Sequence, residues 1–133
     1  MAYILDTSFI IDLMRSDTEA VLKASELEQL RESKLLPAPV LYEIVSGFLF
    51  SRSRSESAVF QRLAERFIIV PFDVSAALSA AEIRAELMKT GRVKSHVDTM
   101  IAGIALAGGH VLVTRDADFN AIGDSLGLEI DVY

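Results

Sequence analysis

The sequence has no cysteine. Disulfide scaffolds and thiolate-bound zinc are therefore excluded, and the chain suits a reducing compartment such as the cytoplasm. Histidine is scarce as well. His96 and His110 have no metal-ligand spacing, so both read as structural. No apolar run reaches the roughly 18 residues that a membrane helix needs. The stretch from Leu35 to Phe50 comes closest, and Pro37, Pro39, Glu43 and Gly47 interrupt it. No basic segment precedes Ala2-Tyr3-Ile4-Leu5, so neither a signal peptide nor a membrane partner is expected. Positive charge is short too: 13 Lys and Arg stand against 19 Asp and Glu, a net charge of −6. Nucleic-acid binding usually shows as a basic surface. That objection weakens where acids gather in one pocket, because bound cations invert the local field.

What remains is a chain of 133 residues, 51% hydrophobic, which fits a single domain over 1–133 with an ample core. Apolar Ala2–Leu5 predicts a buried strand, with a helix after Asp6 carried by Phe9, Ile10, Leu13 and Met14. Asp17 or Thr18 caps a second helix running to about Ser33. Lys34 to Ala38 reads as a strand, and Pro39 opens a third helix to about Phe50. Ser51–Ser55 reads as a basic, polar linker, Glu56 to Arg66 as a helix, and Phe67 to Phe72 as a strand. Asp73 or Ser75 caps an alanine-rich helix to about Lys89, ended by Gly91. Val97 to Ala107 is helical and rich in small residues. His110–Thr114 is a strand, Arg115–Asn120 a polar turn, and Leu128–Tyr133 a last strand. Strands that alternate with helices indicate the α/β class, a parallel sheet covered on both faces. Ligands in such folds bind beyond the carboxyl ends of the strands, where strand order reverses.

Several acids fall at those places. Asp6 ends the first strand, and Asp116 and Asp118 follow the fourth. If those two strands are neighbours, the three carboxylates share one rim. Glu43 lies on a helix among Leu41, Tyr42, Ile44 and Val45, with no basic residue at helical spacing. Asp98 lies in the first turn of the helix leading to the fourth strand. Each alone has a plain structural role: Asp6 as a helix cap, Asp98 beside a helix dipole, Asp116 and Asp118 in shaping a turn. Together they form a set of acids in apolar surroundings, where ionised groups are rare without a partner. A divalent cation would neutralise them. With oxygen donors alone, Mg2+ or Mn2+ is favoured over zinc.

These motifs resemble the PIN-domain family, in particular the VapC-type toxins of toxin–antitoxin pairs. Ile4-Leu5-Asp6-Thr7-Ser8 is similar to the family's opening strand and first acid, and Leu41-Tyr42-Glu43 to its second. Val97-Asp98-Thr99-Met100-Ile101-Ala102 is similar to the third, and Val113-Thr114-Arg115-Asp116-Ala117-Asp118-Phe119 to the closing motif. No one of these is specific, but four in order over nearly the whole chain are. The resemblance implies an α/β/α sandwich with sheet order 3-2-1-4-5, which places strands one and four side by side. It implies metal ligation by Asp6, Glu43, Asp98 and Asp116, with Asp118 as a fifth acid acting through water. It also implies endoribonuclease activity by metal-activated water, leaving a 5′-phosphate and a 3′-hydroxyl. A homodimer and inhibition by a cognate antitoxin are implied in the same way.

Thr7, Ser8 and Thr114 offer hydroxyls beside the acids, to orient ligands or water or to cap a helix. Lys94, within Lys89, Arg92, Lys94 and His96, is placed to guide an RNA substrate, as are Arg15 and Arg115. Arg52, Arg54, Arg62 and Arg66 face phosphates, an acidic partner or solvent. Phe48-Leu49-Phe50 is an apolar tip for an antitoxin helix, a second copy or the core. Two phosphotransfer readings fit poorly. A haloacid-dehalogenase-like site wants an acid where Ser8 stands, and a receiver domain fits badly at Val70-Pro71-Phe72-Asp73. A PIN nuclease of RNA processing and a non-catalytic PIN-like scaffold remain alternatives to the toxin.

Overall fold

The computed structural model describes residues 2–133. Its elements run β1 (Tyr3–Leu5), α1 (Thr7–Met14), α2 (Thr18–Leu30), β2 (Lys34–Pro37), α3 (Ala38–Ser51) and α4 (Arg54–Ala64). β3 (Ile68–Val70), α5 (Val74–Lys89), α6 (His96–Gly108), β4 (Val111–Thr114), α7 (Phe119–Leu126) and β5 (Ile130–Val132) complete the chain. The five strands form one sheet in the order β3-β2-β1-β4-β5, and every pairing is parallel. β1 is central: Tyr3 is in register with Lys34 of β2 on one side and Val111 of β4 on the other. The adjacency of strands one and four is therefore the one that the family resemblance implied.

Neighbouring residues of a strand point to opposite faces. Ile4 and Leu5 are both fully buried, so helices cover both faces of β1. All four residues of β4 are buried as well, which matches its unbroken apolar run. The edge strand β3 differs: Ile68 and Ile69 are about half exposed. The tightest helix packing is between α5 and α6. An added Cβ at Gly103 would stand 2.6 Å from both the Ala76 carbonyl oxygen and the Ala80 Cβ, so this position requires glycine.

Several boundaries depart from the sequence reading. α2 stops at Leu30, because Arg31 turns into the left-handed region at φ 55. The supposed linker is mostly helix. α3 runs through Ser51, and Ser53 caps α4 by accepting the Glu56 N–H at 3.3 Å, so only Arg52 and Ser53 lie between the helices. The polar turn after β4 ends in α7, which the sequence reading lacked. β3 and β5 are shorter than expected, at three residues each, and β4 begins at Val111, leaving His110 outside it.

Candidate metal centre and active site

Asp6 emerges where β1 ends and α1 begins. It has the extended backbone of an N-cap, and its Oδ1 accepts the Thr7 N–H at 2.8 Å. The cap role and a role in a site coexist, because the other oxygen faces the rim. That Oδ2 accepts the Thr114 hydroxyl at 2.7 Å and the Ser8 hydroxyl at 3.2 Å. Thr114, the last residue of β4, is completely buried. Its hydroxyl oxygen also accepts the Asp116 N–H at 3.1 Å. One threonine thus ties the acid after β1 to the acid after β4, which the strand pairing alone makes possible.

Asp6 is itself buried, and its carboxyl is pushed above its ordinary pKa. Burial is the main cause. The Thr114 hydroxyl pulls the other way, and the negative charge of Asp98 raises it again. Asp98 sits in the first turn of α6, where its N–H donates to the capping Ser95 hydroxyl at 3.1 Å. Asp6 and Asp98 are therefore like charges within electrostatic reach, and every group bonded to Asp6 is a neutral donor. Glu43 reaches the same rim from α3. Its Oε1 accepts the Thr7 hydroxyl at 2.6 Å. Thr7 thereby links Glu43 to the backbone turn that carries Asp6, and the three hydroxyl residues singled out in the sequence all bond an acid.

The other two acids are held differently. Lys94 Nζ lies 2.5 Å from Asp116 Oδ2 and 2.8 Å from Asp118 Oδ2. Asp116 Oδ1 accepts the Asp118 N–H at 3.0 Å. The ammonium holds the Asp118 carboxyl below the usual carboxylate range, and the two acids raise the lysine in turn. The acids consequently stand as sub-groups along one rim. Among the described residues, no three acid or histidine side chains approach closely enough to cage an ion as they stand.

The basic residues need correction. Lys94, expected to guide substrate, is already occupied with Asp116 and Asp118. Arg115 was expected to face a phosphate, yet it reaches Asp17 at 2.9 Å and Asp12 at 3.2 Å and stacks on Tyr133, 4.9 Å from the ring centroid. Just past the end of β4 the chain bends, so that the Asp116 N–H turns back to the Thr114 hydroxyl while Arg115 between them reaches Asp12, Asp17 and Tyr133. Arg15, the C-cap of α1, lies instead on a groove of about 450 Å3 between α1, α3 and α4. The groove starts at Thr7 and Glu43 and passes Ile11, Met14 and Phe48 to Val59. No residue type in the sequence signalled Tyr133, whose hydroxyl donates to Asp12 Oδ2 at 2.6 Å and also meets Ser8. The apolar tip divides in two. Phe48 packs on Phe60 at 5.7 Å between ring centroids, whereas Leu49 and Phe50 are exposed.

The family model for the PIN domain matches residues 3–125, nearly the whole chain. The chain belongs to the PIN-domain family. Among its relatives is a VapC ribonuclease, Y4jK, of Sinorhizobium fredii, 28% identical over 128 residues, covering 90% of this chain and 91% of the relative. A tRNA(fMet)-specific endonuclease VapC of Shigella flexneri is 28% identical over 125 residues, 92% of this chain and 93% of that one. Among solved structures, a member of the VapBC family of toxin–antitoxin systems, VapBC-5 of Mycobacterium tuberculosis, superposes with a TM-score of 0.74. It is 26% identical, over 99% of this chain and 98% of that one. In this PIN domain the four motif acids thus lie on the rim formed by β1, α3, α6 and the β4–α7 turn. No helix among the described residues is long and apolar enough to cross a membrane.

Proposed function

We propose that this PIN-domain protein is a Mg2+- or Mn2+-dependent endoribonuclease, the toxin of a toxin–antitoxin pair. One observation carries the metal requirement. The buried Asp6 carboxylate faces a second acid, Asp98, and its own partners are three neutral donors, Thr7, Ser8 and Thr114. Such a pair is stable as ions only with a cation beside it. The donors are all oxygen, which fits a hard divalent ion.

Asp6 and Asp98 would hold the ion, with Asp116 and Glu43 completing the set and Asp118 contributing through water. A divalent ion there supplies an activated water and neutralises charge on the phosphate. The chain's own residues do the remainder. Thr114, Ser8 and the Thr7 N–H fix both oxygens of Asp6, so the carboxylate meets the ion without reorganising. Thr7 fixes Glu43 at the mouth of the groove. Arg15, on the same groove, is the substrate-guiding cation left without an acid among the described residues, so it is placed to take a phosphate.

Relatives that are VapC ribonucleases and the likeness to a toxin–antitoxin family member favour the toxin over an RNA-processing nuclease or a silent scaffold. The antitoxin is expected in the apolar groove beside Glu43, and a second copy against the exposed Leu49 and Phe50. A cytoplasmic location goes with that assignment. The test is cleavage of an end-labelled RNA by the purified chain with Mg2+ or Mn2+, with and without chelator. Asp6→Asn should abolish cleavage while the far-ultraviolet circular dichroism is unchanged. Full activity in that variant overturns the site.

A further inference from the structure

Among the described residues no cation is paired with Asp6 or Asp98, whereas Asp116 and Asp118 share one. The Lys94 side chain is only 18% exposed although it stands in a connection flanked by exposed residues, and it donates to both carboxylates. Asp116 has both oxygens engaged, Oδ1 by the Asp118 N–H and Oδ2 by the ammonium. An ammonium is a compact point charge with three donors, and a divalent ion cannot share its position. The connection from Gly91 to Ser95 is neither helix nor strand, so Lys94 can swing away without breaking an element.

We propose that Lys94 is an internal counter-cation: it holds Asp116 and Asp118 in the metal-free protein and must leave Asp116 before that acid can join Asp6 and Asp98 around an ion. This rests on the metal-dependent reading above and deepens it. Metal binding and the Lys94 contact are then competing occupants of one carboxylate, and competition of this kind is reciprocal. Removing the ammonium tightens the metal, and adding the metal frees the ammonium.

The experiment is Mn2+ titration of the full chain by calorimetry, for the wild type, Lys94→Met and Lys94→Gln. Both variants keep a side chain of similar reach without the charge, and each should bind Mn2+ about 5- to 150-fold more tightly. The reciprocal arm uses the wild type alone. Added Mg2+ should speed acylation of Lys94, read by mass spectrometry against Lys89, which is 72% exposed in the structure and serves as the reference. Equal or weaker Mn2+ affinity in both variants, or Mg2+ without effect on Lys94 acylation, overturns the proposal. Asp6→Asn separates the two levels. If it loses Mn2+ binding and cleavage while the Lys94 variants match the wild type, the metal centre stands and the lysine inference falls. If neither the wild type nor the Lys94 variants bind Mn2+, both fall.

Discussion

Thr114→Val tests the joint that binds the two central strands to their acids. The two side chains have nearly the same shape, so the fully buried site is neither emptied nor overfilled. What disappears is the hydroxyl, and with it the 2.7 Å bond to Asp6 Oδ2 and the 3.1 Å bond from the Asp116 N–H. A hydrogen bond to a charged group contributes about 1.5–3 kcal/mol. An orphaned buried N–H costs about 1–3 kcal/mol, and the Asp116 side chain is 32% exposed, so the lower end applies. The loss should therefore be about 2.5–4 kcal/mol. Urea unfolding reads it directly. With a slope of about 2 kcal/mol per molar for a chain of this size, the midpoint drops by about 1.2–2 M with the slope unchanged. Thr114→Ser keeps the hydroxyl and should lose only about 1 kcal/mol for the missing methyl.

The same variant carries a pH signature. Asp6 has a raised pKa in the folded protein, so the native state holds its proton more tightly than the unfolded chain does. Its contribution to stability is then most favourable at low pH and is lost as pH rises through the folded-state value. The Thr114 hydroxyl opposes this by favouring the ionised form. Without it, Asp6 rises further, and the deficit grows with pH. Unfolding should show a larger gap between wild type and variant at about pH 8 than at about pH 4. A loss under about 0.5 kcal/mol, or a gap that is flat with pH, refutes the reasoning.

Three further outcomes follow from the same geometry. Asp6→Asn removes a buried charge that faces Asp98, so the variant should be more stable than the wild type by about 0.5–2 kcal/mol near neutral pH, visible as a higher Tm by calorimetry. Gly103→Ala forces a Cβ to 2.6 Å from the α5 backbone; the overpacking of about 1–3 kcal/mol exceeds alanine's gain in helix preference of about 1 kcal/mol, a net loss on denaturant unfolding. Burial, aided by the bond to Asp12, pushes the Tyr133 phenol up to about 12. Stability should fall as pH rises from the ordinary tyrosine value of about 10 toward that point, and Tyr133→Phe should delete the ionisation step near there from the 295 nm absorbance titration.

Much of this was legible because two signals coincided at single residues. Asp6 reads as a helix cap from its position and as a site acid from its company, and the structure gives it both bonds. Thr114 was visible only as a hydroxyl near an acid. Its double bond depends on the pairing of β1 with β4, which periodicity does not disclose. α7 was hidden because Asn120, Asp124 and Ser125 dilute its apolar spacing and Gly123 interrupts it. That glycine is a packing requirement: a Cβ there would stand 2.5 Å from the Leu128 carbonyl oxygen. The basic residues misled for a common reason. Nearness in sequence to Asp98 or Asp116 says nothing about direction, and both Lys94 and Arg115 found acids of their own chain first.

The acidic balance and the RNA reading become compatible once those pairings are counted. Arg115 is committed to Asp12 and Asp17, and Lys94 to Asp116 and Asp118, so two cations beside the rim give little attraction to a phosphate backbone. Asp6 and Asp98 add repulsion. A protein in this state should bind nucleic acid poorly by charge alone, since backbone affinity comes from cations that displace counterions. Under the proposed metal binding, divalent ions on the rim would reverse the sign of the field there. Neutral hydroxyls hold the Asp6 and Glu43 carboxylates in place, and the Lys94 ammonium holds those of Asp116 and Asp118.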